Sequence, residues 1–216
     1  MPHWKMEERG IMLKEGVISS SDMEIIDKQV MAESFPWYYC EESTVVPGCG
    51  CEDFPFLKHC LMIRWEEPDE PLVDGMLYPS SSIDSKMYPF FEKIFLKFCK
   101  ENEIKINVIL RACLNLTYNT SMYKHGDPHV DYPYDIWQVI MYLNEFDNGE
   151  TLIFEEEYGK NGFNDGVYHA QRNLFNVKEV ITPQKGKIVA FYGKNFHSLN
   201  WCSPGQRRIA CVFVFK

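Results

Sequence analysis

The sequence predicts a mostly β chain with helical support, of the sandwich, jelly-roll or barrel class, and three observations predict it. Ile106, Val108, Leu110, Ala112, Leu114 and Leu116 alternate with Asn107, Arg111 and Asn115, the two-residue period of a long, half-buried strand. Further strand candidates follow at residues 138–144, 150–154, 174–182, 187–192 and 207–215. Between them lie turn signals: Asp147-Asn148-Gly149, Pro183-Gln184-Lys185-Gly186 and Ser203-Pro204-Gly205-Gln206.

Two helices precede this β-rich stretch. Ser21-x-x-Glu24 has the pattern of a capping box, and Met23, Ile26, Val30 and Met31 recur behind it at helical spacing. Between residues 85 and 100, Met87, Phe90, Phe91, Ile94, Phe95 and Phe98 form one apolar face, with Pro89 tolerated in a first turn. Pro36, Pro47, Pro55, Pro68, Pro71 and Pro79 break the chain between the helices. The expected organisation is one domain over residues 1–216: a helical and loop-rich support region, 1–103, and a β core, 104–216.

Composition narrows the function. Against 22 Lys and Arg stand 31 Asp and Glu, a net charge of −9, which disfavours a nucleic-acid partner because phosphate neutralisation needs clustered cations. No apolar run approaches the roughly 20 residues that span a bilayer, and the first residues carry no apolar signal core, so the expected location is cytoplasmic. Eight cysteines then read as reduced thiols, with Cys99, Cys113 and Cys211 as small core residues. Cys40, Cys49, Cys51 and Cys60 are dense but lack paired zinc-ligand spacing and read as a loop with free thiols, a bound metal there remaining the alternative.

Chemistry concentrates in His125-Gly126-Asp127-Pro128-His129-Val130-Asp131. In extended backbone, residues two apart share a face, so His129 and Asp131 project together. His197, at the end of another predicted strand, supplies a third donor. Two histidines and one carboxylate are the facial ligand set of a non-haem Fe(II) that keeps adjacent coordination positions open. Ten residues further, Arg207 offers a guanidinium fork to the far carboxylate of a dicarboxylate co-substrate, and Tyr142 adds a hydroxyl. His125 and Asp127 form a second His-x-Asp pair, but Gly126-Asp127-Pro128 has turn composition, which favours the later pair. Arg208 adjoins Arg207, and a one-residue register shift exchanges which points inward; the Gly205-x-Arg207 spacing selects Arg207.

In this order, Tyr118, His129-x-Asp131, Tyr142-Leu143-Asn144, Gly149-Glu150-Thr151-x-x-Phe154, His197 and Gly205-x-Arg207 resemble the Fe(II)- and 2-oxoglutarate-dependent dioxygenases of the prolyl 4-hydroxylase-like branch, over about the second half of the chain. The resemblance implies a double-stranded β-helix, iron on His129, Asp131 and His197, and 2-oxoglutarate on Arg207 and Tyr142. It also implies Tyr118 near the proximal end of the co-substrate, with O2 as oxidant and ascorbate as a candidate reductant. The implied substrate is a peptidyl proline; a free amino acid or other small metabolite, or a non-catalytic β-sandwich binding module, are the alternatives. His3, His59 and His169 have no such company and read as surface or hydrogen-bonded residues. Trp137 and Trp201 stand near the proposed ligands and either line an entrance or pack, and residues 155–166 read as a long acidic loop that could cover the site.

Overall fold

A computed structural model describes residues 10–40, 55–64, 81–119, 125–133, 135–164 and 172–216. Its elements in chain order are β1 (Ile11–Lys14), α1 (Ser20–Gln29), β2 (Tyr38–Cys40), β3 (Phe56–Arg64), β4 (Ser81–Ile83), α2 (Tyr88–Glu101), β5 (Ile109–Tyr118), β6 (Trp137–Tyr142), β7 (Thr151–Glu157), β8 (Val177–Ile181), β9 (Ile188–Tyr192), β10 (Asn195–Leu199) and β11 (Arg207–Phe215). Two antiparallel sheets face each other. The larger runs β1-β9-β6-β11-β5-β3-β2, with β4 on β3, and the smaller runs β10-β7-β8. The fold is mostly β with a jelly-roll core and helices on one side.

The larger sheet is buried on both faces because its strands serve two cores. One face, through Ala112, Leu114, Met141, Cys211, Phe213 and their neighbours, takes the apolar stripes of α1 and α2. Phe95 of α2 stacks on Phe213 with ring centroids 4.4 Å apart and meets Phe215 edge-on at 5.1 Å. Aromatic pairs of this kind add about 0.5–1.5 kcal/mol beyond simple burial. The other face, through Cys113, Ile140, Tyr142, Val189, Ala210 and Val212, looks toward Ile153 and Ile181 of the smaller sheet. That inter-sheet space holds the functional site.

Several local expectations need correction. Helix α1 is capped by Ser19, not Ser21: the Asp22 amide donates to Ser19 Oγ at 3.1 Å and the Asp22 carboxylate closes the box. Ser21 lies two residues past the cap, already inside the first turn. The support region is not only helical and loop-rich, since β1 to β4 all join the larger sheet. Lys58 and His59 interrupt the apolar period of β3, which hid it. Glu155–157 belong to β7 rather than to a loop, and residues 165 and 166 of the expected covering loop lie outside the described residues. In α2, Pro89 occupies the first turn as expected.

Among the described residues no helix is long and apolar enough to cross a membrane. Cys99, Cys113 and Cys211 are free and buried; Cys40 and Cys60 are free and half-buried; Cys49 and Cys51 lie outside the described residues. His59 is buried, with Nδ1 2.8 Å from the Pro36 carbonyl and Nε2 2.7 Å from Ser85 Oγ, a structural role.

Candidate functional site

Residues 125–131 run antiparallel to β10, with bridges His125–Asn200 and His129–His197, and so extend the smaller sheet. His197 therefore belongs to a strand of its own, β10, rather than to the end of the preceding one. This pairing sets the two imidazoles side by side, ring centroids 4.4 Å apart, and Asp131 follows two residues on along the same face. The Asp131 Oδ1 atom lies 3.6 Å from His129 Nε2 and 3.7 Å from His197 Nε2. Donors about 2.1 Å from one metal ion at right angles stand roughly 3 Å apart, so this spacing is close to a ligand set. Among the described residues it is the only group of three or more such side chains able to hold a metal ion.

The rings are oriented for the task. His129 Nδ1 lies 2.8 Å from the Asp127 carbonyl and His197 Nδ1 3.4 Å from the Asn195 carbonyl. A proton on each Nδ1 satisfies the carbonyl and leaves the Nε2 lone pair toward Asp131. Burial, with His129 beside it, pushes the His197 imidazole down to about 3, so it stays neutral, as a ligand must be.

Sequence reasoning missed one member of this centre. Arg111 of β5 pairs with the outer oxygen, Oδ2, of Asp131, leaving Oδ1 to the histidines. Burial alone would raise the Asp131 carboxyl; the charge and hydrogen bond of Arg111 outweigh it above all and hold the group below the usual carboxylate range. Arg111 had been legible only as a polar position in an alternating strand.

The triad opens on a cavity of about 330 Å³ between the sheets. Its wall includes Cys113, Asn115 and Thr117 of β5, Gln138 and Ile140 of β6, and Arg208 and Val212 of β11. Arg208, not Arg207, points inward: it is 5 % exposed, whereas Arg207 is exposed to solvent. Side chains alternate along β11, and the cavity face carries Arg208, Ala210, Val212 and Val214. The same parity displaces Tyr118, which is 39 % exposed, and puts Thr117 on the cavity wall.

Arg208 is held from three sides. Its Nη2 donates to Thr151 Oγ1 at 3.2 Å and its Nε to the Gly149 carbonyl at 3.3 Å, and the guanidinium lies 5.4 Å from the Tyr142 ring centre. Tyr142 is fully buried, its hydroxyl 2.6 Å from Thr151 Oγ1. Asn144 fixes the backbone on either side of Arg208, donating to the Arg207 carbonyl at 2.8 Å and accepting from the Ile209 amide at 2.8 Å. Gly149 has φ +73°, and a Cβ there would come 2.7 Å from Phe146, so glycine is needed at the turn that presents this carbonyl. Among the described residues no carboxylate pairs with Arg208, and burial lowers its hold on its proton.

The remaining candidates resolve differently. His125 turns its Nδ1 to the Gly126 carbonyl at 2.7 Å and is not grouped with the ligands. Trp201 lines the cavity, while Trp137 packs on the helical face beside Tyr192, centroids 5.5 Å apart.

No protein-family model and no curated protein sequence matches the chain. Solved structures do match it in fold. An oxidoreductase of the 2OG-Fe(II) oxygenase family from Burkholderia pseudomallei is 13 % identical, with a TM-score of 0.58 over 95 % of this chain and 85 % of that one. The non-haem α-ketoglutarate-dependent epimerase SnoN from nogalamycin biosynthesis is 10 % identical, with a TM-score of 0.56 over 96 % and 78 %. A prolyl hydroxylase from Trichoplax adhaerens, solved with a hypoxia inducible factor peptide, is 12 % identical, with a TM-score of 0.53 over 96 % and 84 %. The chain thus has the fold of the 2OG-Fe(II) oxygenases, prolyl hydroxylases among them.

Proposed function

We propose that the protein is an Fe(II)- and 2-oxoglutarate-dependent dioxygenase that hydroxylates a C–H bond. One observation carries the reading: within a single cavity, His129, Asp131 and His197 converge on a metal-sized gap and a buried Arg208 faces them without a carboxylate partner. A buried guanidinium left without an anion is costly, and a diacid chelating at the triad supplies that anion. Fe(II) bound there, with 2-oxoglutarate and O2, supplies oxidative decarboxylation coupled to C–H hydroxylation.

The chain's own residues do the rest. Arg208 binds the distal carboxylate, with Thr151 and Tyr142 holding the guanidinium in place. Cys113, Ile140 and Val212 form the less polar wall between Arg208 and the triad, suited to methylene groups and to excluding water. Arg111 turns Asp131 so that one oxygen meets the metal. Peptidyl proline is the substrate implied by the sequence resemblance, and a peptide-bound prolyl hydroxylase shares the fold. A small acidic metabolite is the second reading, favoured by polar donors at the metal end of the cavity.

The test is to load the protein anaerobically with Fe(II), admit O2 and 2-oxoglutarate, and quantify succinate with and without a proline-rich peptide. Succinate dependent on both iron and 2-oxoglutarate is the expected result. Failure to bind either would return the chain to a non-catalytic β-sandwich.

A further inference from the structure

The triad and Arg208 leave one end of the cavity unexplained. Arg111 and Gln138 are both Cα partners of Val214, one on each side of β11, so they project from the same level of the sheet into the cavity. Gln138 is 1 % exposed, and its Nε2 has no hydrogen-bond partner among the described residues. Arg111 commits Nη2 to Asp131, while its Nε is buried and also lacks a partner among the described residues. Two buried donors on side chains that line one cavity call for an acceptor, since a buried N–H left unmatched loses its hydration without return.

The co-substrate does not account for them. Arg208 pairs with Thr117, six residues along β5 from Arg111, on the order of 20 Å of strand. A five-carbon diacid reaching from the Arg208 side to the triad therefore ends at the metal and leaves the Arg111–Gln138 level open. Charge selects the kind of acceptor. Among the described residues Lys58, Arg111 and Arg208 line the cavity against Asp127 and Asp131, and a bound Fe(II) and a 2-oxoglutarate dianion cancel. The loaded cavity keeps a positive charge in a chain whose net charge is −9.

Building on the proposed oxygenase reading, we infer that Arg111 and Gln138 form a recognition site for a carboxylate on the primary substrate, which is a small carboxylic acid held beside the metal. Gln138 gives a neutral N–H to one oxygen, and Arg111 bridges the substrate and the metal's own carboxylate. The site makes the carboxylate the feature that admits a substrate, whatever carbon skeleton it carries.

The experiment uses the full chain loaded anaerobically with Fe(II) and 2-oxoglutarate, loading being followed by the metal-to-ligand charge-transfer absorption. Succinate release on adding O2 is then compared with three probes: a mixture of free amino and hydroxy acids, the same compounds as primary carboxamides, and a terminally blocked proline-containing peptide. The acids should stimulate release about tenfold or more over the carboxamides, the discrimination expected of a hydrogen bond to a charged group. Gln138→Glu, which sets a carboxylate against the substrate's own, should remove that stimulation. Equal response to acids and carboxamides, response to the blocked peptide alone, or no response to any probe would overturn the inference while the absorption band still upheld the oxygenase reading. A Gln138→Glu variant that raises KM for 2-oxoglutarate as much as it lowers the stimulation would assign Gln138 to the co-substrate instead. Absence of the band would overturn both.

Discussion

His129 and His197 are bonded to each other through their backbones: the His129 amide donates to the His197 carbonyl at 3.0 Å, and the His197 amide to the His129 carbonyl at 2.9 Å. Two residues far apart in sequence are thereby locked in register before any metal arrives. The imidazoles take no part in this pairing, so the scaffold and the ligands can be separated by mutation.

His197→Ala should abolish Fe(II) binding and succinate formation while leaving the far-UV circular dichroism unchanged, because the paired amides remain. Retention of stoichiometric iron in that variant, read by metal analysis after desalting, would disprove the proposed ligand set.

Arg207 and Arg208 offer an internal control. Arg208→Ala should weaken 2-oxoglutarate binding on the order of 100-fold, about 3 kcal/mol, since it removes the cation proposed to pair with the distal carboxylate. Arg207 contributes its backbone carbonyl to Asn144 and its side chain to solvent, so Arg207→Ala should change the dissociation constant by less than about twofold. Calorimetric titration of both variants decides the register; equal losses would contradict it.

Arg111→Gln should lower Fe(II) affinity by about 10- to 100-fold, the usual effect of removing a partner that orients a metal ligand. Competition with a chelator of known affinity measures the change. Unchanged affinity would mean that the Arg111–Asp131 pair serves packing rather than the metal.

Ser19→Ala should destabilise the fold by about 1 kcal/mol at neutral pH through loss of the α1 cap. The hydrogen bond from Ser19 holds the Asp22 carboxyl below its ordinary 3.8. A folded-state value below the unfolded one gives stability that is complete above about pH 3.8 and is lost as pH falls through the folded value. Part of the Tm difference between wild type and Ser19→Ala should therefore disappear in acid. A gap that stays constant down to the lowest pH at which both fold would argue against this linkage.

The sequence by itself determined the β class, helix α2, the bounds of β11 and the three side chains that the fold gathers into one metal-sized group. These features rest on local chemistry: an apolar period, a proline in a first turn, glycine-bearing turns and a His-x-Asp step that shares one face of extended backbone. The tertiary structure decided which face each strand turns to the cavity. Residues 209–215 are apolar at every position because both faces of β11 are buried, so the run carries no alternation from which to tell Arg207 from Arg208. Tyr118 was placed by the resemblance alone, and the alternation of β5 gives the cavity side to Thr117 instead. Arg111, β3 and the strand that carries His197 were hidden for a related reason. Their roles come from pairing with residues distant in the chain, and the free energy of such pairing is realised only when two sheets close around one cavity.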